Sequence, residues 1–182
     1  MDSQQKVVLF EETIASQTLF EGNLLHLEVL DVRLPNGNVS KREIIRHANA
    51  VCAVVFDTSG RSLLGRQYRK AVELALLEVP AGKIDPGEEP DVAILRELRE
   101  EIGYVSGKIE KLFDFYCTPG FCNEMMTAYL VTDAVLAEPA PDEDEFLEIV
   151  YMSREELALA VRDGRLADAK TLVAVLEALR RS

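Results

Sequence analysis

The sequence predicts an α+β sandwich, and three observations lead there. Strands of uneven length are interrupted by only a few helices, without the regular strand–helix alternation of a parallel sheet. Residues 50–57 form an apolar run of the kind a buried strand carries, Thr58-Ser59-Gly60 turns the chain, and residues 62–69 return beside it as a second strand. Residues 90–102 instead space Ile94, Leu95, Leu98 and Ile102 at helical intervals, with Pro90 at a first helical position and Gly103 just past the end.

Taken in order, residues 6–20 mix Val7, Val8, Leu9 and Phe10 with Thr13, Ile14, Thr18, Leu19 and Phe20, and read as short strands. Residues 24–34 alternate as a strand. Pro35-Asn36-Gly37-Asn38 is a hairpin turn, because asparagine and glycine tolerate positive φ. The return strand runs to about Arg46. The N-terminal strands, residues 1–48, are expected to form a sheet of their own, with the remaining domain over 49–182. Residues 76–79 form a strand leading into Pro80-Ala81-Gly82, and the helix at 90–102 follows. Residues 108–116 and 125–131 are strands flanking Thr118-Pro119-Gly120, and an acidic stretch at 138–145 precedes a strand at 146–151. Ser153 and Glu156 make a capping box for a helix ending near Gly164. Asp168 caps a last helix whose expected seam is Leu172, Val175, Leu176 and Leu179.

Composition narrows the function classes. The chain has 182 residues, 48% of them apolar, and suits one domain with a real core. No 18-residue apolar run suggests a membrane span, and no signal-like leader opens the sequence. A formal charge of −12 without any basic run argues against a nucleic-acid partner. Cys52, Cys117 and Cys122 are odd in number and lack CxxC spacing; reduced thiols and a cytoplasmic location are expected. With only His26 and His47, a histidine-rich metal centre is excluded.

The helix at 90–102 carries the informative chemistry. At 100° per residue, Glu100 and Glu101 fall within about 60° of Glu97, beside the apolar seam. Like charges at i,i+3 and i,i+4 cost a few tenths of a kcal/mol per pair, which a cation offsets, and carboxylate oxygens select hard divalent ions. Alone, such a face is an ordinary solvated one. The loop before it changes that reading.

The whole stretch follows G-x5-E-x7-R-E-L-x-E-E-x-G, with Gly82, Glu88, Arg96, Glu97, Leu98, Glu100, Glu101 and Gly103 in place. At average residue usage, the seven polar and glycine positions of this pattern recur together by chance at roughly 10⁻⁸ per start site. The pattern resembles the signature box of the Nudix hydrolases, off pattern only at Tyr104 in the final aliphatic slot. The resemblance implies a Nudix-type α/β/α sandwich with a mixed sheet and an additional N-terminal antiparallel β-sheet. It also implies hydrolysis of a nucleoside diphosphate linked to another moiety, with Mg2+ as cofactor and Mn2+ as a substitute. Glu97 and Glu101, one helical turn apart, are the first metal ligands it suggests, with Glu100 a third and the Ala81 carbonyl a fourth. Arg96 pairs with Glu88 to brace the loop.

Segments outside the box are similar to the ADP-ribose pyrophosphatase group: Gln67-Tyr68-Arg69, Glu78-Val79-Pro80-Ala81-Gly82, and Pro119 sixteen residues beyond Gly103. One departure is His47-Ala48-Asn49-Ala50-Val51, where the family carries His-Pro-Gly-Ala-Val. Arg69 is a candidate phosphate contact, since a guanidinium fork fits phosphate oxygens, and Arg46 is a second. Phe20, or a nearby aromatic, is a candidate for stacking on the base, and Glu78 for binding ribose hydroxyls or a second metal. The general base of this group sits on a loop well after the box, and the register selects Glu145, with Glu143 as second choice. The expected substrate is ADP-ribose or a related nucleoside diphosphate sugar. GDP-mannose, a dinucleoside polyphosphate, or nucleotide sensing without turnover are the alternatives. Family members exchange the N-terminal region across a homodimer, which is expected here.

Overall fold

The computed structural model describes residues 9–138 and 146–181. The chain divides into two compact units, one of Met1–His47 with Thr118–Glu124, the other of Ala48–Cys117 with Met125–Ser182.

In the first unit, strands β1 (Glu12–Glu21), β2 (His26–Arg33) and β3 (Val39–Arg46) form a three-stranded antiparallel sheet in that order. The segment expected to break into short strands is, over its described part, one strand of ten residues, because β2 offers it a continuous partner from His26 to Arg33. The β2–β3 hairpin closes at the predicted turn, where Gly37 takes φ 87° and its N–H donates to Leu34. Leu30 and Val32 are the buried side chains of this sheet, whereas every residue of β1 is exposed. The 118–124 segment joins the unit through Ile45 N–H to the Phe121 carbonyl (2.7 Å) and His47 N–H to Asn123 Oδ1 (2.9 Å).

The second unit is built on a mixed sheet. Strands β4 (Ala50–Asp57), β5 (Ser62–Arg69), β6 (Leu74–Glu78), β7 (Ala81–Lys83), β8 (Tyr104–Tyr116), β9 (Met125–Leu136) and β10 (Leu147–Met152) run in the order β10-β5-β4-β9-β8, with β6 on β5 and β7 on β4. Among the described residues of this sheet only the β4–β9 pair is parallel. The apolar run of β4 is explained by burial on both faces. Val51, Ala53 and Val55 pack against Ala93, Ile94, Leu98 and Ile102 of α1 (Pro90–Ile102). Cys52, Val54 and Phe56 face Leu157 and Ala160 of α2 (Arg154–Arg162) and Ala174, Val175 and Ala178 of α3 (Ala169–Arg180). The result is the expected α/β/α sandwich, each buried Leu, Ile or Val contributing about 1.5–3 kcal/mol.

Three details differ from the sequence reading. The short strand β7 was not foreseen: it has no apolar alternation and exists because β4 offers it an edge, Cys52 opposite Ala81 and Val51 opposite Gly82. Strands β8 and β9 extend beyond 108 and 131 to pair Tyr104 with Leu136, a long-range pairing that no local pattern encodes. In α3 the buried face is Thr171, Ala174, Val175 and Ala178, while Leu176 is 53% exposed. Val175 lies on the buried face as expected and Leu172 and Leu179 pack partly buried against the same core, so Leu176 is the one expected seam residue that faces outward. Ser153 forms the predicted capping box with Glu156, and Asp168 caps α3 through Thr171 N–H. Among the described residues no helix is long and apolar enough to cross a membrane, and Cys52 and Cys122 are free thiols.

Gly103 ends α1 in the left-handed conformation, φ 67°, with its N–H donating to Arg99 and Leu98 carbonyls. A Cβ there would lie 2.2 Å from the Ala137 carbonyl oxygen, a backbone atom that cannot step aside. Gly103→Ala should therefore lose about 2 kcal/mol, combining left-handed strain with the clash. A urea titration reads this as a lower midpoint at unchanged slope.

Candidate active site

The box helix brings its carboxylates to the start of the preceding loop. Ala81 N–H donates to Glu101 Oε2 at 3.2 Å. One turn earlier, the Glu97 carboxylate lies so close to Gly82 that a Cβ there would sit 1.9 Å from its carboxyl carbon. A side chain at 82 would therefore displace the Glu97 carboxylate from this position. The anchoring face of α1 buried on β4, and the pairing of β7 with β4, bring these groups together.

Arg96 ties the loop to the helix. Its Nε and Nη2 hold both oxygens of Glu88 at 3.1 and 2.9 Å, Nη2 also reaches the Lys83 carbonyl at 3.0 Å, and Asp85 N–H donates to Glu88 at 3.1 Å. The guanidinium and the Asp85 amide hold the Glu88 carboxyl below its ordinary range. Arg96 Nη1 lies between Glu97 Oε1 (2.7 Å) and Glu100 Oε2 (3.2 Å), a cation already spanning two of the three box glutamates. Among the described residues no three His, Cys, Asp or Glu side chains converge as a ready ligand set. The donors nevertheless suit a hard divalent ion: all are oxygens, and the cluster attracts positive charge where Arg96 meets it.

Beside the loop, Gln67, Arg69, Glu78, Ala81 and Glu101 line one pocket. Arg69 grips Glu78 through both fork nitrogens, at 2.7 and 2.8 Å. Lys170 Nζ also contacts Glu78 Oε2 and lies 3.0 Å from Asp168. Burial pushes the Glu78 carboxyl up, but Arg69 and Lys170 together outweigh it and hold it below the ordinary value. Both Glu78 oxygens are thus already engaged.

Three other candidates belong to the first unit. Arg46 pairs with Glu28 at 3.0 Å, Phe20 is 58% exposed on β1, and Pro119 belongs to the 118–124 segment. Glu143 and Glu145 lie outside the described residues. Sequence reasoning missed Lys170 altogether and saw Asp168 only as a helix cap. One signal was available: Lys170 occupies the first turn of α3, where the helix dipole disfavours a cation.

This site, on this fold, defines a hydrolase of the Nudix class. A family profile described as NUDIX domain matches residues 46–174, and one described as nucleoside diphosphate sugar hydrolase N-terminal domain matches residues 11–45. The chain is similar to the ADP-ribose pyrophosphatase of Bacillus subtilis (strain 168), 41% identical with 92% of this chain and 91% of that protein covered. It is equally similar to the methanol dehydrogenase activator of Bacillus methanolicus, 41% identical with 92% of each chain covered. A crystal structure of an ADP compounds hydrolase superposes with a TM-score of 0.85 at 25% identity, over 97% of this chain and 95% of the other. The chain belongs to the Nudix hydrolase family.

Proposed function

We propose that the protein hydrolyses the pyrophosphate bond of ADP-ribose or a related nucleoside diphosphate sugar, releasing AMP and ribose 5-phosphate from ADP-ribose. The observation that carries this reading is the meeting of Glu97 and Glu101 at Ala81–Gly82, beside the pocket where Arg69 stands. Glu97, Glu100, Glu101 and the Ala81 carbonyl would hold Mg2+, or Mn2+ in its place. Bound there, the ion would neutralise charge on the phosphate oxygens. Arg69 presents a guanidinium to a phosphate of the substrate, with Arg46 as a second such contact and Phe20 as a surface for the base. Glu145, or failing it Glu143, takes the proton of the attacking water. Pro119 belongs to the substrate-side loop, and the Arg96–Glu88 pair keeps the box loop in place. The N-terminal profile and the relatives' names support the sugar nucleotide over other diphosphates.

The test is product release from a panel of nucleoside diphosphate sugars, with magnesium and again with chelator. Metal-dependent cleavage led by ADP-ribose is expected. Cleavage led by GDP-mannose or a dinucleoside polyphosphate would reassign the substrate contacts, and tight nucleotide binding without cleavage would make the protein a sensor.

Residues 1–48 are the proposed dimerisation region of a two-fold homodimer, with the sites completed across it. Strand β1 supports this, with Ile14, Leu19 and Phe20 all exposed. Gel filtration at micromolar concentration should give twice the 20.3 kDa chain mass; a peak at the chain mass would rule the dimer out.

A further inference from the structure

The contacts of Arg69 continue away from the pocket into α3. Arg69 uses Nε and Nη2 on Glu78, and its Nη1 meets no acceptor among the described residues. Glu78 is held from its other side by Lys170, whose side chain is only 13% exposed. A long lysine at a helix start ordinarily extends its ammonium into water. Lys170 instead turns inward between two carboxylates, Glu78 and Asp168. Asp168 is itself fixed by Thr171, whose N–H (3.0 Å) and hydroxyl (2.6 Å) both donate to it. The buried Thr171 oxygen accepts from Val79 N–H at 3.0 Å, which closes the circuit at the residue after Glu78. The end of β6 and the first turn of α3 therefore form one frame.

We propose that Lys170 is a positioning residue for Arg69: by pinning Glu78 from the helix side, it holds the guanidinium with its Nη1 edge available to an anionic oxygen of the substrate. The inference rests on the reading of Arg69 as a phosphate contact. Its physical basis is that Glu78 Oε2 is shared by Arg69 Nη2 and Lys170 Nζ. A carboxylate with one partner can turn with it; one gripped from two sides turns only by breaking a contact. In this arrangement Glu78 acts as a brace, its Oε1 engaged by Arg69 and its Oε2 shared between Arg69 and Lys170.

The experiment measures KM and kcat for ADP-ribose hydrolysis, with magnesium, in the wild type, Arg69→Ala, Lys170→Met, Lys170→Arg and the Arg69→Ala/Lys170→Met double variant. Lys170→Met should raise KM on the order of tenfold with a smaller loss in kcat, and Lys170→Arg should recover most of it. In the Arg69→Ala background, Lys170→Met should add nothing further to KM. Additive effects in the double variant would overturn the proposal, because Lys170 would then act independently of Arg69. A loss confined to kcat, or no rescue by arginine, would overturn it equally. A wild-type KM in Arg69→Ala would instead sink the reading of Arg69 as a phosphate contact, and the proposal with it. Should Lys170→Met not fold, Lys170→Ala, whose side chain cannot reach Glu78, enters the same cycle.

Discussion

Glu101→Gln should cut turnover by about a thousandfold while leaving the fold intact. The glutamine oxygen can still accept from Ala81 N–H, so the loop-to-helix contact survives. What is lost is a negative charge among the proposed metal ligands, and the bound ion is worth several kcal/mol to the transition state. At 1.36 kcal/mol per tenfold, a loss on the order of 10³ in kcat is expected, with weakened Mg2+ binding by calorimetry. Glu145→Gln makes the contrast. As the proposed base it should cost about 10²–10⁴ in rate with metal affinity unchanged. If both variants lost metal affinity equally, the division between ligand and base would be wrong.

Glu78→Gln should be among the most destabilising single substitutions in the second unit, by about 3 kcal/mol at neutral pH. The glutamine oxygen can keep one bond to Arg69, but its NH2 would point a donor at another donor, leaving a cation without its counter-charge. The figure sits at the low end for a broken buried pair because Arg69 is 44% exposed, although Lys170 and Glu78 are not. The pH dependence follows from the direction of the shift. Glu78 is held below its ordinary value of 4.5 in the folded protein by Arg69 and Lys170, against burial. Its contribution is therefore complete above about 4.5 and is lost as the pH falls through the lower folded value. The groups around it are Arg69 from β5, Lys170 from α3, Asp168 at the N-cap of that helix, and Glu101 from α1, whose charge reaches Arg69. Denaturant titrations of wild type and Glu78→Gln should differ most near pH 7 and converge in acid. A gap that stayed constant down to pH 3 would mean that ionisation of Glu78 does not carry the effect.

Local sequence encodes the hairpin turn at Gly37, the left-handed stop at Gly103 and the spacing of Glu97, Glu100 and Glu101 along one helical edge. These are local: each depends on backbone preference or on a period of 3.6 residues, which neighbouring residues alone encode. The tertiary structure alone decided that β7 exists, that α3 buries its small residues, and that Lys170 stands against Glu78. Each of those depends on residues far apart in the chain, as Glu78 and Lys170 are, meeting across packed elements. Sequence periodicity says which face of an element is buried, but which charge that face meets is settled only when the layers close.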